Sequence, residues 1–288
     1  MDAASSSAPP AGGDLPPARD AAGQALARAL WATLDAVEQA AGDADAVEMV
    51  HDARKAMKQY RALLRLVPGA AARAARQDTA AVARELSGSR DRAAAREAIQ
   101  ILEEEGLLLA CDFADAVAAI GSDAPEDADA QGHREALLAF LARARMALET
   151  GLAAQAEAAD VGRGIARAYR KGRQAVLDAP PDMHEGRKQV VIHRYQMSLL
   201  AEAFAGRARK RAVRAQKLRD LLGAYQDMEI LRPMLRAAVP PLGTGTLERL
   251  EVAMAREQKR LKKRAASAHA ALYRRRAGAF LRKYRDIL

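Results

Sequence analysis

His51, Arg54, Lys55, Lys58, Arg61 and Arg65 follow one another at spacings of three, one, three, three and four residues. Residues three and four apart share a helix face, so on a helix this pattern stacks a histidine and five cations in one stripe. Like charges so placed destabilise a helix by a few tenths of a kcal/mol per pair. A solvated face interleaves acids with bases. Here only Asp52 falls near, and it points off the stripe. Such a stripe makes physical sense when an anion lies on it. Arginine offers a rigid fork for two phosphate oxygens, and lysine a mobile point charge. A lone helix histidine is more often structural than functional. Its coupling to bases at +3 and +4 is what points to an anion site.

The pattern recurs. His51-Asp52-Ala53-Arg54-Lys55 returns as His184-Glu185-Gly186-Arg187-Lys188, an offset of 133, and Arg194 repeats Arg61. Val191 stands where Lys58 would repeat, so the second stripe is thinner, and His193 beside Arg194 is expected to compensate in part. Leu86-Ser87-Gly88-Ser89-Arg90-Asp91 is similarly echoed by Leu222-Gly223-Ala224-Tyr225-Gln226-Asp227. Two copies of one unit of about four helices follow from this. Further bases crowd other helices: Arg163, Arg167, Arg170, Lys171 and Arg173, then seven between Arg207 and Arg219, then a run from Arg256 to Arg264 and beyond. Of these, Arg163, Arg170, Arg173, Lys210, Arg214 and Lys217 join the expected site. The net charge is +9, split as −8 over residues 1–150 and +17 over 151–288. That gradient implies a polyanionic partner reached mainly through the C-terminal half.

The elements that must carry these stripes are helices. Aromatics make up 4% of the chain and alanine is abundant, which favours helix over sheet. Between prolines, apolar periodicity predicts helices over about 20–41, 45–67, 70–120 (broken near Gly88 and Gly106), 132–178 (broken around Asp160–Gly164), 182–205, 208–238 and 245–285. The expected fold is all-α: two tandem four-helix bundles, over 19–150 and 151–288, after a disordered tail at 1–18. Gly121–Gln131 reads as an acidic loop. Asp91 and Asp227 are expected in loops or caps, Glu103–Glu105 in solvent, and Cys111, Met183 and Met197 in the core. Cys111 is the only cysteine, which excludes an intramolecular disulfide and a Cys-based zinc site and fits a reducing cytosol. No apolar run reaches the roughly 18 residues that span a bilayer, and no secretory signal is visible.

The segments HDARKAMKQYRALLRL (51–66), ELSGSRD (85–91), GIARAYRKGRQAVLDAP (164–180), HEGRKQVVIHRYQMSLL (184–200) and KLRDLLGAYQD (217–227) resemble the CHAD domain, the conserved histidine α-helical domain. Any one segment is weak; five in order are specific. The likeness runs over about 20–288. It implies two four-helix bundles related by a pseudo-twofold, binding of inorganic polyphosphate along a basic surface, and a cytoplasmic protein at polyphosphate granules. Carried over, the binding residues are His51, Arg54, Lys55, Lys58 and Arg61, with His184, Arg187, Lys188 and Arg194. Two departures stand out: Val191, which thins the second stripe, and Gln226 in place of asparagine, expected to bear on helix geometry. The alternating-glutamate triphosphatase motif that accompanies some relatives is absent from this sequence.

Two other classes compete. A general nucleic-acid binder fits the basic charge, above all in the last helix, but no DNA- or RNA-binding motif appears and stacking aromatics are scarce. A histidine phosphocarrier would use His51 or His184 as nucleophile. No phosphate loop, metal cluster or Ser/His/Asp set accompanies them, so no enzyme activity and no cofactor are expected.

Overall fold

The computed structural model describes residues 21–86, 90–121, 130–154, 156–175 and 182–288. Among these the chain is all-α. Its helices are α1 (Ala21–Ala41), α2 (Ala46–Leu63), α3 (Gly69–Glu85), α4 (Arg90–Glu104), α5 (Ala110–Ile120), α6 (Ala130–Glu149), α7 (Ala158–Gln174), α8 (Met183–Ala203), α9 (Arg209–Arg236), α10 (Thr244–Leu272) and α11 (Ala277–Leu281). A 3-10 turn, Arg282–Tyr284, follows. The expected tail at 1–18, most of the acidic loop, Gly88 and the side chain of Asp91 lie outside the described residues.

Caps set where the two motif helices start. The Asp45 carboxylate accepts from the N–H groups of Val47 and Glu48 at the head of α2. Asp182 accepts from Glu185 N–H at the head of α8. Each satisfies amides that a first turn leaves unpartnered, and each puts negative charge at the positive end of the helix dipole. The break expected around Asp160–Gly164 lies earlier, because the Asp160 carboxylate accepts from Glu157 N–H and so opens α7 rather than interrupting it. The last long helix stops at Leu272 instead of reaching 285, and the chain bends before α11.

The fold is built round α8. Gly186, Gln189, Val190, Ile192, His193, Tyr195, Gln196, Met197, Leu199 and Leu200 are buried, while a strip at 184, 187, 188, 191, 194 and 198 reaches solvent, as do both ends of the helix. Helices α9, α7, α2 and α1 pack against it. The main apolar cluster joins Leu26, Leu30 and Leu34 of α1, Met57 and Tyr60 of α2, Phe140 of α6, Ile165 of α7, Met197 of α8, Leu218 of α9 and Phe280 of α11. Each such side chain removed from water contributes about 1.5–3 kcal/mol. A second cluster joins Ile99 and Leu102 of α4 and Ile120 of α5 to Met228 and Leu231 of α9 and Leu250 and Met254 of α10. Thus α4 and α5 rest on α9 and α10.

Three expectations are corrected. Cys111 is exposed, because the inward face of α5 is set by Asp112, Ala116 and Ile120. Asp227 is neither loop nor cap: it is buried inside α9. Glu105 is not merely solvated but pairs with Arg260, which also holds Glu257. Met197 is fully buried and Met183 packs against the main cluster, as expected.

Candidate anion-binding site

The two motif helices lie side by side and antiparallel. At one end the Tyr195 hydroxyl donates to the Lys55 carbonyl at 3.3 Å, and at the other the charge of Glu185 acts on Arg65. Between them Ala62, Ala168, Ile192 and Tyr195 close a small apolar cluster, and the Gln196 amide donates to the Ala62 carbonyl at 3.3 Å. Ala62 and Tyr195 are 133 positions apart, the offset of the sequence repeat. His51 and His184 therefore stand at opposite ends of the helix pair. Val191 has a structural reason here. It packs on this cluster at the crossing, where an apolar side chain is favoured over the expected lysine.

Arginines crowd the C-terminal end of the first stripe. Burial pushes the Arg61 pKa down, and Arg65 and Arg84 push it further. Arg65 is shifted the same way by burial, against the pull of Glu185. Arg76 is lowered by burial and then by the charges of Arg65, Arg73 and Arg167. Charge interactions thus link six guanidiniums carried by α2, the turn after it, α3 and α7. Two of them are tied to the frame by described hydrogen bonds: Arg76 Nη1 donates to the Leu64 carbonyl at 2.9 Å, and Arg84 Nε to the Ala80 carbonyl at 3.2 Å. Arg61 and Arg76 are half-buried and the other four are exposed, so water screens part of their mutual repulsion.

Other members of the stripe have local jobs. Arg54 Nη1 donates to the carbonyls of Ala83 and Leu86, at 3.2 and 2.7 Å, and so caps the end of α3. Lys55 pairs loosely with Asp52 at 3.5 Å and stays exposed. His51 is exposed, and Lys58 and Arg61 are half-buried.

The second copy is wired differently. Arg187 Nη1 donates to Gln226 Oε1 at 2.8 Å, and Gln226 Nε2 meets His184 Nδ1 at 3.0 Å. Gln226, expected to matter only for helix geometry, is the bridge of the second motif. Arg194 donates to Gln216 and lies over the Tyr195 ring at 4.0 Å, with its buried Nε left without a partner. A hollow of about 490 Å³ opens beside it, lined by Ser198, Glu202, Arg209 and Gln216. Lys188 pairs with Glu185 at 3.7 Å. His193 does not compensate for Val191. It is buried on the opposite face of α8, where Nε2 accepts from Arg211 Nε at 2.9 Å among Tyr169, Tyr273 and Phe280.

The remaining expected residues scatter round this centre. Arg163 pairs with Asp160. Arg173 is half-buried and its charge bears on His269 of α10. Arg170, Lys210, Arg214 and Lys217 are exposed, and among the described residues no acid pairs with them. Arg73, Arg76 and Arg84 of α3 were not singled out from the sequence. The repeat holds a signal for two of them: the offset of 133 carries Arg76 onto Arg209 and Arg84 onto Lys217.

No described helix is long and apolar enough to cross a membrane, and no cluster of three metal-ligating side chains occurs among the described residues. No curated protein matches the chain. The family model for the CHAD domain matches residues 24–236, which include α2, α3, α7, α8 and α9. The chain belongs to the CHAD domain family.

Proposed function

We propose that the chain binds inorganic polyphosphate, laid along the exposed strips of α2 and α8 and the arginines that flank them. The observation that carries this reading is the cluster of Arg61, Arg65, Arg73, Arg76, Arg84 and Arg167, in which burial and then the neighbouring arginines lower the pKa of Arg61 and Arg76. A row of phosphates neutralises such a cluster and matches guanidinium forks with paired oxygens. The repeated positions Arg61 and Arg194, Arg76 and Arg209, and Arg84 and Lys217 extend the same chemistry to the second motif. Membership of the CHAD family supports polyphosphate as the anion. The proposed role is binding rather than catalysis, in the cytoplasm at polyphosphate granules.

The test is a competition titration. Labelled long-chain polyphosphate is bound at about 150 mM salt, where exposed charges are screened beyond about 8 Å, and challenged with duplex DNA, RNA and heparin at equal charge. Polyphosphate should resist the challengers, and Arg61→Ala/Arg84→Ala should weaken its binding at least tenfold. Equal displacement by every polyanion, with no effect of the variant, would overturn the reading. Acid-labile phosphate on His51 or His184 after incubation with a phosphodonor would overturn the non-catalytic role.

A further inference from the structure

A second cationic surface lies on α10, beyond the residues that match the family model. Arg256, Lys259, Lys262, Lys263 and Arg264 are all exposed there. None of them enters an ion pair or hydrogen bond with any described residue, whereas their neighbour Arg260 is occupied by Glu105 and Glu257. The next exposed positions on the helix are small: Ala266, Ser267, Ala270 and Ala271. Just past the helix end come Arg274, Arg275 and Arg276, again exposed. Helix α10 packs on α9, α5 and α4, and its His269 bonds to the Gly172 carbonyl of α7; its exposed cations belong to neither the α2 nor the α8 strip.

We infer that α10 is a docking surface for the phosphate backbone of duplex nucleic acid, with its small residues facing a major groove. The order along the helix is the argument: cations, then a flat small-residue face, then cations. Lys263 to Leu272 spans about 14 Å at 1.5 Å per residue. The major groove is about 12 Å wide and admits an α-helix. Two cation clusters at this separation meet the phosphates of the two strands as the helix crosses the groove, and alanine and serine keep bulk out of the way between them. A single flexible phosphate chain would instead favour an unbroken row of cations.

The side chains also argue against other partners. Single strands are held by stacking on exposed aromatics, yet Tyr273, Phe280 and Tyr284 at this end are buried. An interfacial helix needs bulky apolar anchors among its cations, and Val252 is the one large apolar side chain that α10 exposes. Alanines carry no hydrogen-bonding code for base edges, so binding is independent of sequence.

The test uses the full chain and a fluorescent 20-bp duplex of arbitrary sequence, with the matching single strand, long-chain polyphosphate and phosphatidylglycerol vesicles as comparison probes. Lys259→Ala/Lys262→Ala/Lys263→Ala should weaken duplex binding at least tenfold at about 100 mM salt, because each lost phosphate contact removes counterion release. Ala270→Glu, which places a carboxylate on the small-residue face, should weaken it at least threefold. Both leave the melting temperature unchanged, since the altered side chains are exposed and make no described bond. Arg61→Ala/Arg84→Ala should bind duplex within twofold of the parent. Equal loss of duplex binding in that variant would overturn the inference, as would single strand binding as tightly as duplex. Vesicle binding without duplex binding would also overturn it, in favour of a membrane surface. The polyphosphate reading is judged separately, on the response of polyphosphate to the Arg61/Arg84 variant.

Discussion

Arg187 decides which ring nitrogen of His184 carries the proton. A guanidinium only donates, so it orients the Gln226 amide with its oxygen toward Nη1, at 2.8 Å. The amide nitrogen then faces His184 Nδ1 at 3.0 Å and donates to it. Neutral His184 therefore keeps its proton on Nε2, with an N–H free of this bridge and able to donate to a phosphate oxygen. Imidazole nitrogen shifts of the labelled protein should show the Nε2–H form for His184. In Gln226→Ala the two tautomers should mix, and polyphosphate affinity should fall severalfold. An unchanged tautomer in that variant would mean that something other than the Arg187–Gln226 bridge holds the ring.

The arginine cluster predicts effects of opposite sign on stability and binding. Arg61 and Arg84 repel each other, and burial adds to the cost of Arg61. Arg84→Ala removes one repelling partner along with an exposed bond from Arg84 Nε to the Ala80 carbonyl at 3.2 Å, so the unliganded protein should gain at most a few tenths of a kcal/mol, the scale of a like-charge helix pair. Polyphosphate should then raise the melting temperature less than in the parent, because ligand stabilisation follows affinity. Thermal melts with and without saturating polyphosphate read both effects. A variant that loses stability and keeps its ligand-induced shift would show that Arg84 is a structural residue.

The first stripe was legible because helical spacing alone places 51, 55, 58, 61 and 65 on one face. The second was legible because the repeat supplied its register. What the sequence hid depends on which neighbour each side chain meets. Arg54 and Arg187 occupy equivalent places, yet one caps α3 and the other meets a glutamine on α9. Arg76 could not be placed beside Arg65 without knowing that α3 folds back along α2. His193 reads as one of a basic pair with Arg194, but adjacent helix residues point about 100° apart, and its face of α8 is core. Fold class was the easiest part, since alanine-rich apolar periodicity admits little else.

Burial and the adjacent Arg211 hold the pKa of His193 well below its ordinary 6.5. Burial first, then Arg173, lowers that of His269, against the hydrogen bond from its Nε2 to the Gly172 carbonyl. Both histidines are neutral in the fold but bind protons once unfolded as pH drops below about 6.5. The unfolded state then holds more protons, so stability rises with pH across that window and falls on acidification. The slope approaches about 1.4 kcal/mol per pH unit for His193, and His269 adds a smaller share because its hydrogen bond to Gly172 opposes the shift. Carboxylates such as Asp112, held low by its bond to Arg249, act only below about pH 4. Urea unfolding at pH 7.5, 6.5 and 5.5 should show the loss, and His193→Gln, which can still accept from Arg211, should remove the larger part of it. A parent protein equally stable at 7.5 and 5.5 would refute the assignment.

Gly164 governs how closely α7 approaches the arginine cluster. A Cβ there would meet the Leu66 side chain at 2.8 Å, the Arg65 carbonyl at 3.0 Å and Leu66 Cα at 3.1 Å. Two of those three atoms are backbone and cannot swing aside. Gly164→Ala must therefore push α7 away from the end of α2, at a cost of about 1–3 kcal/mol, the range for overpacked sites. The same displacement carries Arg167 away from Arg76, on which its charge acts. Polyphosphate binding should weaken with stability, although no ligand-contacting side chain has changed. Gly172→Ala is the matching control: its Cβ would collide with the Tyr273 hydroxyl and come within 2.6 Å of Cζ, on the side of α7 that faces α10. It should destabilise the protein by a similar amount and leave polyphosphate affinity at subsaturating denaturant unchanged. If both glycine variants reduced affinity alike, the loss would reflect global unfolding rather than the α2–α7 approach.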